Sequence, residues 1–282
     1  MKILYAGDSE AGGSANYLLG ILQSLRAEVV HIPPSQKLSP SLFKKRFDAI
    51  LLSDFPRKQT PASSEQAILD QAAEGSGFLM IGGWGSFSGP FGGWRGSLIE
   101  KLLPVTCLNR DDRIHLPGGA WILKGDSPPK RGQSPALFQS LDFKNPPVIC
   151  GLNQIRPKKN GLVLLSAKRL QDRKNFPLLV IDRNPARRIA TLATDLAPHW
   201  SGGLLDWGKK RIKLPVRKGI QIEVGDFYVR FVTNLIKWLC SGDLEPRYAT
   251  EELEGLDRLH EEEKKKGWIR FRTAKDVDNL FK

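Results

Sequence analysis

Two stretches of this 282-residue chain carry residue types that could do chemistry. The first is Asp195-Leu196-Ala197-Pro198-His199-Trp200. An acid four residues before a histidine can orient or charge the imidazole, as acid–base and metal sites require. As a metal pair it is incomplete, because a zinc site needs at least one further protein ligand. The same spacing fits an aspartate that caps the following turn beside a histidine bonded to backbone. The second stretch is Ile81-Gly82-Gly83-Trp84-Gly85-Ser86-Phe87-Ser88-Gly89-Pro90-Phe91-Gly92-Gly93-Trp94. Glycines there let backbone amides approach and point at an anionic or carbonyl group. The stretch lacks the Lys-Ser/Thr ending of a phosphate loop and is no Gly-x-Gly-x-x-Gly opening a helix. It also fits a turn that lets Trp84, Phe87 and Trp94 pack. Asp8 and Asp54 form a third group, each closing an apolar run, placed to meet a ligand or metal or to cap a turn.

The elements that must position these residues read as alternating strands and helices. Lys2–Gly7, Glu28–Ile32, Asp48–Ser53 and Gly77–Ile81 are short apolar runs. Between them, Ala15–Leu25 sets Leu18, Leu19, Leu22 and Leu25 at helical spacing, and Ser63–Glu74 reads as a helix opened by Ser63/Ser64. Ser39 caps a short helix to Phe47. Buried strands without polar alternation, joined by helices, predict a parallel sheet covered on both faces. Ligands bind such sheets beyond the carboxyl ends of the strands, so Asp8–Gly13, Asp54–Lys58 and Gly82–Gly93 are the loops of interest. From Arg95 to about Gln154 the pattern is irregular. Turn-rich Leu116–Gly119, Ser127–Pro129 and Asn145–Pro147 predict hairpins or an insertion there. Strand-like runs resume at Gly161–Ser166, Pro177–Ile181 and Arg188–Thr194. An amphipathic helix then runs from Asp226 to about Cys240, and a charged helix is expected at Glu251–Lys266.

Composition limits the class. With 40% hydrophobic residues the chain can bury a core, which excludes wholesale disorder. No run reaches the roughly 18–20 apolar residues of a membrane span. Three cysteines, Cys107, Cys150 and Cys240, at no metal spacing, suggest reduced thiols and a cytoplasmic protein. The net charge of +13 is uneven: residues 241–282 carry 9 basic and 11 acidic residues, whereas residues 1–240 carry 34 and 19. That basic body could attract RNA, DNA, anionic lipid or phosphorylated ligands, or it could be an ordinary solvated surface; no nucleic-acid module is visible.

Taken in order, the residues resemble the class I glutamine-amidotransferase-like superfamily. The frame Gly75-Ser76-Gly77-Phe78-Leu79-Met80-Ile81-Gly82-Gly83-Trp84-Gly85-Ser86-Phe87, followed by Leu103-Pro104-Val105, is similar to the branch called putative glutamine amidotransferases, relatives of the ThuA-like proteins. Also similar are His31-Ile32-Pro33-Pro34 leading to Asp54, the stretch from Thr194 to Trp200, and the closing Ile236-Lys237-Trp238-Leu239. The likeness covers residues 1–240, taken as one α/β domain, with 241–282 a charged C-terminal helical extension. It implies a flavodoxin-like three-layer fold with an irregular β-rich insertion. Active members of the superfamily carry a cysteine on a strained turn after a buried strand, activated by a distant His with a Glu. Here glycine, at Gly83, stands where the nucleophile should be, and Ser201 stands where the Glu would follow His199. The resemblance therefore implies the scaffold without its glutaminase.

Three functions remain open on the sequence. One is binding of a small polar ligand at the carboxyl edge by Gly82, Gly83, Trp84, Ser86, Trp200, Asp8 and Asp54. Another is different chemistry, with His199 and Asp195 as an acid–base pair or metal site and Ser86 as a nucleophile. The third is an interaction module for nucleic acid or a protein, using the basic stretch Lys209–Lys218 and the tail. No motif demands a cofactor, and none specifies an oligomeric state.

Overall fold

A computed structural model of the chain describes residues 1–9, 13–125, 135–217 and 219–241. The turn expected at Ser127–Pro129 and the charged helix at Glu251–Lys266 lie outside them.

In chain order the regular elements are β1 (Lys2–Gly7), α1 (Ala15–Ser24), β2 (Glu28–Ile32), β3 (Ala49–Ser53), α2 (Ala62–Ala73), β4 (Gly77–Ile81) and α3 (Leu98–Leu102). There follow β5 (Val105–Thr106), β6 (Arg113–Lys124), β7 (Val148–Asn153), β8 (Arg156–Pro157), β9 (Gly161–Arg169), β10 (Asn175–Asp182) and β11 (Ile189–Leu192). A hairpin of β12 (Arg211–Arg217) and β13 (Ile220–Gly225) leads into α4 (Asp226–Ser241). Nine strands form one sheet in the order β2-β1-β3-β4-β11-β10-β9-β6-β7. The first five are parallel and the last four antiparallel, so the fold is α/β and flavodoxin-like with an antiparallel extension.

The parallel half forms because β3 and β4 are wholly buried apolar runs that need cover on both faces. Right-handed crossovers supply it: β1 to β2 and β3 to β4 run in opposite directions along the sheet, which sends α1 and α2 to opposite faces. α4 packs beside α1 and across β3 and β4, and α3 lies against α2. Arg188 ties the end of α4 to the sheet, donating from Nε to the Leu239 carbonyl at 2.8 Å and from Nη2 to the Gly75 carbonyl. Leu239 passes so close that a Cβ on Gly77 would lie 2.2 Å from its carbonyl oxygen.

Two local expectations are corrected. Leu116–Gly119 is not a turn between strands but lies inside the single strand β6, whose register with β7 jumps between His115 and Ala120. Pro117-Gly118-Gly119 cannot hold a regular ladder, and the chain absorbs them as a bulge. Ser63 and Ser64 do not cap α2; Pro61 precedes the helix, and the Ser64 hydroxyl donates to the Leu38 carbonyl at 2.6 Å.

The register places the chemistry. Gly7, Ser53, Ile81 and Leu192 stand in one row across β1, β3, β4 and β11. The residues that follow them, Asp8, Asp54, Gly82 and the loop to Trp200, therefore emerge along one edge. Sheet order reverses between β1 and β3, and such a switch point opens a crevice at the carboxyl ends.

Candidate functional site

At that edge the first amides of the glycine-rich loop, Gly82 to Gly85, are already engaged. The Gly82 amide donates to the carbonyls of Leu192 and Thr194 at 2.7 and 3.1 Å. The Gly83 amide donates to Asn153 Oδ1 at 2.9 Å. The amides of Trp84 and Gly85 both donate to the Asp54 carboxylate, Gly85 through a very short bond to Oδ1. Paired amides after a strand form a nest that suits an anion. Here the anion is a side chain of the protein itself.

Gly83 stands at the expected nucleophile position, and the space about it is closed. Its φ of +150° lies in the region that favours glycine. A Cβ built on it would lie 2.6 Å from Asp54 Oδ1 and 2.8 Å from Asp54 Cβ. Asp54 is itself left-handed, at φ +51°, which turns its carboxylate back under the loop. Asn153, at the end of β7, holds the far side. Its Nδ2 donates to the Gly83 carbonyl at 3.1 Å and to Asp112 Oδ1 at 2.7 Å. Asp112 in turn accepts from the Ser88 amide at 2.7 Å.

Ser86 is buried with both hydroxyl roles filled: it donates to the Ile81 carbonyl at 2.5 Å and accepts from the Asp54 amide at 3.1 Å. Of the four aromatic residues of the loop, Phe87 and Trp94 pack in the core, whereas Trp84 is 39% and Phe91 58% exposed. The Trp94 indole donates to the carbonyls of Phe55 and Gly85.

Asp195 and His199 are not hydrogen-bonded to each other. The Asp195 carboxylate accepts from the amides of Ser201, at 2.9 Å, and Trp200, so it caps the turn that follows. His199 is exposed, with a φ of +108°, and its ring meets His115 edge-on at 6.4 Å. Trp200 is buried over Gly151, where a Cβ would lie 2.4 Å from the indole, and faces His115 at 6.0 Å. The Arg113 guanidinium lies 4.2 Å above the Trp84 ring. Trp84, His115 and His199, all exposed, and the half-buried Arg113, paired with Asp111 at 2.7 Å, thus form a rim beside the filled nest.

Beneath the rim the carboxylates are strained electrostatically. Burial raises the Asp8 carboxyl to about 6, against bonds from the Ser53 hydroxyl and from Tyr5 Oη at 2.6 Å that favour the anion. Asp54 is raised by burial, and Asp195 is raised well above the usual carboxylate range by burial and then by the charge of Asp8. Asp112 is likewise pushed up to about 6 by burial. Among the described residues no cluster of three or more His, Cys, Asp or Glu side chains could hold a metal ion.

The basic stretch is partly neutralised within the fold, since Arg211 pairs with Glu223 at 2.9 Å and with Asp206. Residue 218 and residues 242–282 lie outside the described parts. No described helix is long and apolar enough to cross a membrane.

Asn153, Asp112, Arg113 and His115 were not anticipated from sequence. The only signal for Asn153 was a polar residue closing the apolar run Val148–Asn153.

Solved structures share this architecture. Cytoplasmic protein STM1381 from Salmonella typhimurium LT2 is 24% identical, with a TM-score of 0.64 over 86% of this chain and 100% of its own. Cytoplasmic protein STM3548 from Salmonella typhimurium is 20% identical, with a TM-score of 0.63 over 84% of this chain and 98% of its own. A ThuA-like protein from Bacteroides uniformis ATCC 8492 is 13% identical, with a TM-score of 0.53 over 86% and 92%. No curated protein matches the chain. The family model described as "Putative glutamine amidotransferase" matches residues 9–214, most of the chain, and the protein belongs to that family.

Proposed function

We propose that this chain is an amidotransferase-like protein without glutaminase activity that binds a small polar ligand at the carboxyl edge of the sheet. One observation carries the reading: the Asp54 carboxylate occupies the amide nest and the space a nucleophile on Gly83 would need. Glutamine hydrolysis requires an attacking side chain and free donors for the developing oxyanion. Among the described residues, the turn at Gly83 offers neither. What the edge offers is the rim, where an exposed indole lies under the guanidinium of the Arg113–Asp111 pair, beside His115 and then His199, and suits a polar ligand with a flat group. The body, residues 1–240, acts as the binding unit and 241–282 as an extension. That two of its structural relatives are named as cytoplasmic proteins supports a cytoplasmic place.

Ammonia release from glutamine by the purified full chain tests the first half. We expect none above buffer; turnover abolished by Asp54→Ala would overturn it. Thermal denaturation against a panel of small carboxylates, amides and sugars tests the second half, since a ligand of the native state raises Tm by mass action. A hit should vanish in Trp84→Ala. A panel without any hit, or one whose hits persist in Trp84→Ala and His199→Ala alike, would refute the rim as the site.

A further inference from the structure

A second feature of the edge lies beyond the rim. The far end of the glycine-rich loop, Pro90 to Gly93, and the segment after β3 wall a cavity of about 470 Å³. Arg57, Lys58, Thr60, Glu65 and Phe91 line it. That volume falls within the range of small-molecule sites.

Its charges are arranged, and only half are used. Glu65 is buried, and its two oxygens accept from Arg57 Nε at 2.7 Å and from the Leu98 amide at 2.8 Å. This fixes the Arg57 guanidinium by one edge. Its terminal nitrogens have no partner among the described residues, and its side chain is 40% exposed. Lys58, exposed beside it, likewise has no ion-pair or hydrogen-bond partner there. Two cations thus face one carboxylate, and that carboxylate is satisfied. The Thr60 hydroxyl is buried and has no hydrogen-bond partner. On the other wall Phe91 is 58% exposed, an uncommon position for a large apolar ring, and stacks at 6.4 Å on Trp84.

We infer that this cavity is a binding site for a phosphorylated ring compound of mononucleotide size. The held guanidinium and Lys58 take the phosphate, and the exposed face of Phe91 takes the ring. A fixed guanidinium presents paired donors to phosphate oxygens at little entropic cost, and the adjacent ammonium adds the second charge a dianion needs. The aromatic face accepts a flat ring whatever its edge.

Calorimetric titration of the full chain with adenosine monophosphate, guanosine monophosphate, inorganic phosphate and adenosine is the test. At least one nucleotide should bind ten-fold or more tightly than either phosphate or adenosine alone. Its affinity should fall at least five-fold in Lys58→Ala and in Phe91→Ala, and weaken as salt rises. Arg57→Ala leaves Glu65 a buried unpaired charge and can fail to fold, so the two exposed substitutions carry the test. Binding of phosphate alone with equal strength, binding unmoved by either substitution, or no nucleotide binding would each overturn the assignment. Trp84→Ala, which removes the rim, should weaken nucleotide binding less than Phe91→Ala, and this separates the two sites.

Discussion

The Asp54 carboxylate and the Gly85 amide are joined by a hydrogen bond that gives the glycine-rich loop an internal anion. The loop is therefore built around a charge the protein supplies itself. Gly83 has no side chain because Asp54 stands within 2.6 Å of where one would begin.

Restoring a cysteine to the turn should accordingly fail. Gly83→Cys is expected to cost about 3 kcal/mol or more, since the Cβ overlaps Asp54 and the backbone favours glycine. Asp54→Gly in the same chain should recover part of that loss. Urea denaturation of the two single variants and the double variant measures the coupling, and strict additivity would count against the clash.

Asn153 serves Gly83 on both sides and Asp112 besides. Asn153→Ala strands the Gly83 amide, its carbonyl and one Asp112 oxygen in a buried site, at about 3 kcal/mol or more. Asn153→Asp should be worse, because it removes the Nδ2 donor and sets a second carboxylate against Asp112. Equal stability of the Ala and Asp variants in a thermal melt would argue against the clamp.

Ser86→Ala should lower stability by about 1–3 kcal/mol through the lost bonds to Ile81 and Asp54. A fluorophosphonate probe, which labels activated serines, should leave the wild type unlabelled. Labelling that Ser86→Ala abolishes would make Ser86 a nucleophile after all.

Asp8 should make stability pH-dependent. Its carboxyl is raised from about 4 in the unfolded chain to about 6 in the fold, so the folded state binds the proton more tightly. The contribution is full below about pH 4 and is lost as pH rises through 6. Asp8→Asn keeps the neutral form at every pH. Its neighbours Tyr5 and Ser53 are hydroxyls that can either donate or accept, and Asn tolerates the left-handed backbone at φ +42°. The variant should be more stable than wild type at pH 8, by up to about 3 kcal/mol, with the gap closing toward pH 4. A gap that widens on acidification would reverse the assignment.

Much of the parallel half was legible because β1 and β4 are apolar runs and β2 a β-branched run, each bounded by turn residues, and their limits agree with the structure. The antiparallel half was obscured by Pro117-Gly118-Gly119, whose composition signals a turn although β7 and β9 hold β6 together around it. At the site, residue types singled out loops that the structure brings to one edge, but not who bonds whom. The spacing of Asp195 and His199 fitted both a chemical pair and a capped turn; in the structure the Asp195 carboxylate accepts from the Trp200 and Ser201 amides, a choice the spacing alone does not make. Asn153 acts on Gly83 across 70 residues, and no local pattern encodes such a partner.

The seam between the two halves of the sheet bears on how the chain is made. β4 is a buried apolar strand whose second neighbour, β11, begins at Ile189. During synthesis at about 5–20 residues per second, that edge stays unpaired for roughly 5–20 s after β4 leaves the ribosome. Its backbone groups and apolar side chains are meanwhile a template for any other strand. The β4–β11 pairing spans about 110 residues, the longest sequence separation of any strand pair in the sheet, and pairings of that range are intrinsically slow to close.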